Sequence, residues 1–121
     1  MRSAKQVAED YIALWNERSG ERRAALLNDT WTPQASYVDP LMRGVGHAEI
    51  AALIAGVQQR FPALRFTLLG AADGYGEVVR FSWALGPEGG DAVVKGTDVV
   101  YRDGDKIGEV TGFLDLVPQA A

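Results

Sequence analysis

The chain has 121 residues, 47% hydrophobic and 23% charged, with a formal net charge of -4. That balance describes one folded domain spanning 1–121 rather than a disordered chain, and its acidity leaves no basic footprint for nucleic acid or an anionic membrane. With no cysteine present, disulfides, thiolate metal sites and cysteine nucleophiles are excluded.

The opening stretch MRSAKQVAEDYIALW carries Ala4, Val7, Ala8, Tyr11, Leu14 and Trp15 at helical spacing, with Lys5, Glu9 and Asp10 off that stripe. This predicts an amphipathic first helix, ended at Ser19–Gly20. The acids inside it are foreign to a signal-peptide core. No segment approaches the ~20 apolar residues of a membrane span, so the expectation is a cytoplasmic protein. ERRAALLNDTW reads as a second, short helix and QASYVDP as a short strand. His47 to Arg60 forms a third helix, with Ile50, Leu53, Ile54 and Val57 apolar, stopped before Pro62.

Strands follow. Leu64 to Leu69 is one, and EVVRFSWAL alternates Val79, Phe81, Trp83 and Leu85 against Arg80 and Ser82. AVVKGTDVVYR and KIGEVTGFLDLV complete the set, joined by a tight turn at DGD. Helices first and hairpin-linked strands later define an α+β domain with helices on one face of an antiparallel sheet.

Three residues stand out as carriers of chemistry. Tyr11 lies on the apolar stripe, so its hydroxyl needs a partner inside the protein. Asp39 precedes Pro40, which forces extended backbone; it is either turn chemistry or a pocket acid on the face shared by Ala35 and Tyr37. Asp98 lies mid-strand on the face of Val94, Gly96 and Val100, where a carboxylate is disfavoured and desolvated. Gly96 leaves room beside it. His47, the one histidine, opens the third helix behind Gly46 and can cap amides or face a cavity. A lone histidine makes no zinc motif, and GVGHAE lacks the third glycine of a dinucleotide fingerprint.

Taken together, YIALWNERSGERRAALLND, YVDP followed by GHAEI, RFTLLG and GTDVVYRDGDKIGEVTGFLD resemble the nuclear transport factor 2-like superfamily. The likeness is to its SnoaL-like and ketosteroid-isomerase-like bacterial members. It implies a cone-shaped fold, three helices on a strongly curved antiparallel sheet around an apolar pocket, and a homodimer formed through the outer sheet face. The ketosteroid isomerase pattern sets a helix tyrosine, an Asp-Pro base and a strand aspartic acid in one site. Tyr11 in YIALWN, Asp39 in YVDP and Asp98 in TDVVYRDGDK match those positions.

The resemblance therefore implies a cofactor-free isomerase or polyketide-type cyclase, needing no metal, nucleotide or flavin. A small apolar carbonyl compound would sit among Trp15, Val38, Leu53, Val57, Phe81, Trp83, Phe113 and His47. Because one fold hosts unrelated functions, a non-catalytic ligand-binding or dimeric interaction domain stands beside it.

Overall fold

Ser3 opens the first helix with a reciprocal capping box. Its side chain accepts from the Gln6 amide while the Gln6 side chain takes the Ser3 amide, satisfying two donors that a helix start leaves free. The computed structural model describes residues 2–118; Met1 and residues 119–121 of the expected domain lie outside the described residues. The order is α1 (Ala4–Asn16), α2 (Gly20–Thr30), β1 (Trp31–Val38), β2 (Arg43–Val45), α3 (His47–Arg60), β3 (Arg65–Tyr75), β4 (Val78–Gly86), β5 (Val94–Asp103) and β6 (Lys106–Leu116).

The α1 stripe is buried at Val7, Ala8, Tyr11, Ile12, Leu14 and Trp15, as its periodicity predicts. Its C-terminal carbonyls are met by a polar cluster. The Gln58 amide donates to the Trp15 and Glu17 carbonyls, and Arg23 donates to Gln58 Oε1 at 2.6 Å. Asn16 then mimics a strand partner, giving to the Phe66 carbonyl and accepting its amide at 2.8 and 2.7 Å. Helix α1 is thus pinned across β3, and Tyr11 and Trp15 are aimed at the inner face of the sheet.

Six strands run in the order β2-β1-β6-β5-β4-β3. The meander from β3 to β6 is antiparallel, as hairpin connections require. Strand β1 joins β6 in parallel, so the sheet is mixed at that one seam. Register shifts between Leu69 and Asp73 on β3 and at two points of the β5–β6 pair bend the strands as bulges do. The sheet curls over the helices, producing the three-helix cone.

One face of the sheet is interior. Val79, Phe81, Trp83 and Leu85 of β4, Val94, Asp98 and Val100 of β5, and Ile107 and Val110 of β6 are buried. Helix α3 splits its faces: Ile50 and Ile54 enter the core, while Leu53 and Val57 are half-buried. Its start needs Gly46, whose φ of +84° lies in the left-handed region open to glycine. The three-residue strand β2 gives no signal in RGV; it exists because Tyr37 pairs with Gly44 and returns the chain towards α3.

Candidate active site

Between α1, α3 and the inner face of the sheet lies a cavity of about 620 Å³. Its walls are apolar, formed by Trp15 of α1, Leu53 and Val57 of α3, Phe66 of β3, Trp83 and Leu85 of β4, and Leu114 of β6. One end is polar, with Tyr11, Tyr37, Asp39 and Asp98. That composition suits a ligand with an apolar body and one polar group to be oriented.

Asp98 is the deepest of these groups, 1% exposed. The Tyr11 hydroxyl donates to its Oδ2 at 2.5 Å, a short O–H···O bond. Tyr11 is itself held by Phe81 edge-on at 4.9 Å and by Trp31 stacked at 5.9 Å, so its hydroxyl has little freedom. The second oxygen, Asp98 Oδ1, is buried and has no hydrogen-bond partner. An unsatisfied buried acceptor is costly.

Burial pushes the Asp98 carboxyl up to about 6. Tyr11 and the nearby Trp83 indole pull it down, and the charge of Asp39 adds to the rise. The Trp83 N–H lies close without completing a hydrogen bond. Burial also raises the Tyr11 hydroxyl, with the charge of Asp98 next in weight, so this phenol donates its proton and does not lose it.

Asp39 follows the last residue of β1 and is half-buried. Its Oδ1 accepts the Leu41 and Met42 amides at 2.8 and 3.0 Å, and its Oδ2 accepts the Tyr37 hydroxyl at 2.6 Å. The turn role of the Asp-Pro pair and a place in the cavity wall do not exclude each other. The side chain builds the turn, and its carboxylate lies in the cavity wall. Tyr37, two residues earlier on the same strand face, is buried beneath Trp15 at 5.4 Å between rings. Its hydroxyl is raised by burial first, then by the charge of Asp98 and the bond to Asp39.

Gly112 lets the two acids meet. It pairs with Asp98 across β5 and β6. A Cβ there would lie 2.7 Å from Asp98 Oδ1, 3.2 Å from Asp39 Cβ and 3.5 Å from the Tyr37 hydroxyl. Gly96 serves a different purpose from the open space its sequence suggests. A Cβ there would overlap the Trp83 ring, so this glycine seats the indole that forms a wall.

Of the residues expected in the pocket, Tyr11, Trp15, Asp39, Leu53, Val57, Trp83 and Asp98 line the cavity. Four do not. Val38 alternates away from Tyr37 and Asp39 and is 42% exposed. Phe113 follows the inward Gly112, so it faces out and is 55% exposed. Phe81 points inward but is covered by Tyr11. His47 spends its ring nitrogen on the Thr32 carbonyl at 2.9 Å, tying the start of α3 to β1. Tyr37, Met42, Arg60, Phe61, Phe66 and Leu114 join the lining instead. For Tyr37 the signal is present in the sequence: it stands at i-2 from Asp39 on one strand face.

Among the described residues no three His, Cys, Asp or Glu side chains gather as a metal site, and no helix is long and apolar enough to cross a membrane. A curved mixed sheet closed by three helices, with two acids in the wall of an otherwise apolar cavity, defines an α+β protein of the cone class. Residues 8–110 match the SnoaL-like domain model, and the chain belongs to that family. A SnoaL-like protein of Agrobacterium tumefaciens, provisionally named an isomerase, is 47% identical, with a TM-score of 0.85 over 90% of this chain and 94% of its own. A protein of Kribbella flavida provisionally named a ketosteroid isomerase shares 20% identity and a TM-score of 0.70, covering 98% of this chain and 82% of its own. A Jannaschia protein provisionally named a SnoaL-like polyketide cyclase shares 19% and 0.70, covering 95% and 90%. The latter two likenesses bear on the fold alone. No curated protein matches the chain.

Proposed function

We propose that the protein is a cofactor-free acid/base enzyme that enolises an apolar carbonyl compound, in an isomerase or cyclase reaction. The observation that carries this reading is that Asp98, bonded to the Tyr11 hydroxyl, and Asp39 lie on either side of Gly112 and line one apolar cavity. A carbonyl oxygen set against Asp98 leaves its α-carbon within reach of Asp39. Asp39 takes the α-proton as general base. Neutral Asp98 donates from Oδ1 to the oxygen that gains charge, while its Oδ2 stays on the Tyr11 hydroxyl. Tyr11 then acts through Asp98 as a positioning residue. The apolar walls exclude water, which strengthens that donation. The outward Tyr101 and Phe113, 42% and 55% exposed, supply apolar area for a second copy of the chain through the sheet's outer face.

The test is exchange of α-protons for deuterium, and double-bond migration, in small β,γ-unsaturated ketones. Wild-type protein is expected to catalyse both and Asp39→Asn neither, with ligand affinity kept. A specific observation favours one other reading: three donors already hold Asp39, as a purely structural turn acid would be held. Tight binding with no exchange at any pH would establish that non-catalytic pocket and overturn the enzyme reading.

A further inference from the structure

The cavity is electrically lopsided. Two acids stand together in its wall, Asp98 buried and Asp39 half-buried; among the described lining residues Arg60 alone is cationic. Arg60 sits in the last turn of α3. It is exposed, whereas Asp98 is buried, which sets it towards the opening of the cavity. Its guanidinium lies over the Phe61 ring at 5.4 Å, a contact that holds the charge against the cavity rim. Among the described residues its guanidinium makes no ion pair; the two pairs present are Arg2–Asp10 and Arg80–Asp73.

The spacing along α3 gives the scale. Leu53 fills the space that a Cβ on Gly44, the β2 partner of Tyr37, would need, so it marks the acid end. Arg60 lies seven residues further along the same helix, roughly 10 Å of helical rise. An anionic group on a ligand is repelled by the acids and by the protein's net charge of -4. Among the described lining residues Arg60 is the one cation that can pair with it, and its planar fork matches a carboxylate. A ligand with a carbonyl at one end and a carboxylate at the other has one favourable orientation.

Building on the enolisation reading, we propose that Arg60 forms a carboxylate subsite at the mouth, and that the preferred substrates are apolar oxo-acids. The keto group goes to Asp98 and the acid to Arg60.

Binding can be followed by quenching of Trp15 and Trp83, which line the cavity. The probes are 6-oxo-6-phenylhexanoate, its methyl ester, and the shorter 4-oxo-4-phenylbutanoate. Wild-type protein is expected to bind the long acid about tenfold tighter than its ester, the scale of one charge-assisted contact. Arg60→Gln loses that preference, Arg60→Lys keeps part of it, and the short acid shows none. Added salt narrows the gap. Equal binding of acid and ester by wild type, a preference that survives in Arg60→Gln, or no binding of any probe overturns the subsite. Deuterium exchange at the α-carbon of the ester is read in parallel. Exchange without acid preference leaves the enolisation reading standing and removes the subsite; acid preference without exchange does the reverse.

Discussion

Tyr11 and Asp98 stand 87 residues apart in the chain and 2.5 Å apart in the fold. Helix α1 brings the phenol and the centre of β5 brings the acid, and neither polar group has another buried partner for the atoms they share. The pair can exist because the Asn16–Phe66 bonds and the aromatic stack of Trp31, Tyr11 and Phe81 fix α1 against the sheet. Removing either member strands the other. Tyr11→Phe is expected to leave Asp98 Oδ2 without its donor, costing about 1–3 kcal/mol of stability. Urea unfolding near neutral pH measures it.

Asp98 also sets how stability depends on pH. Its folded value of about 6 lies above the 3.8 of an ordinary aspartic acid, so the folded state holds the proton longer than the unfolded chain. The contribution is therefore fully present below about pH 4 and is lost as pH rises through about 6. Asp98→Asn carries no such charge. The variant is expected to gain on the wild type across that window, by about 3 kcal/mol at most. Unfolding curves of both proteins at pH 4, 6 and 8 check it; parallel curves with a constant gap would refute the assignment.

Gly112 is expected to tolerate no methyl group. Alanine there would press on Asp98 Oδ1 at 2.7 Å and on Asp39 Cβ at 3.2 Å, an overpacking cost of about 1–3 kcal/mol. Gly108→Ala on the same strand meets nothing nearer than 3.5 Å and serves as the control. If Gly112 matters only for packing, ligand affinity follows stability; if it spaces the acids, Gly112→Ala loses binding even in the folded protein.

How much of this was legible in the sequence depends on the range of the interaction concerned. The helix stripes and the β3–β6 meander follow from local periodicity and turn residues, and α3 runs over the expected His47–Arg60. The parallel β1–β6 seam does not, because its partners Tyr37 and Val110 are joined by no turn. Tyr11, Asp39 and Asp98 were brought into one site by resemblance; nothing in their spacing requires it. Phe113 and Val38 show the opposite failure. Hydrophobicity suggests a pocket, yet strand alternation from Gly112 and Tyr37 sends both side chains outward. Alternation was the stronger rule.

Tyr37 is expected to tune the base without touching the ligand's carbonyl. Its hydroxyl holds Asp39 Oδ2 at 2.6 Å, while Oδ1 is fixed by the turn amides. Tyr37→Phe frees one oxygen and lets the carboxylate swing from its reactive pose. Turnover should fall about tenfold with KM little changed, because positioning acts on the chemical step. A rise in KM with kcat intact would instead mark Tyr37 as a binding residue.

The pH profile of turnover separates the proposed acid from a bystander. Catalysis as proposed needs Asp39 charged and Asp98 neutral, and Asp98 loses its proton near pH 6. Wild-type activity is therefore expected to fall as pH rises through about 6. Asn at position 98 offers an N–H donor at every pH and an oxygen to accept from Tyr11. Asp98→Asn should keep activity and lose the alkaline decline, so that it exceeds the wild type at pH 8. Asp39→Asn should lose about a hundred- to ten-thousandfold at all pH values, the range of a removed general base. Measured kcat profiles of the three proteins from pH 4 to 9 decide it. An alkaline decline that persists in Asp98→Asn would assign that limb to another group and leave Asp98 a structural acid.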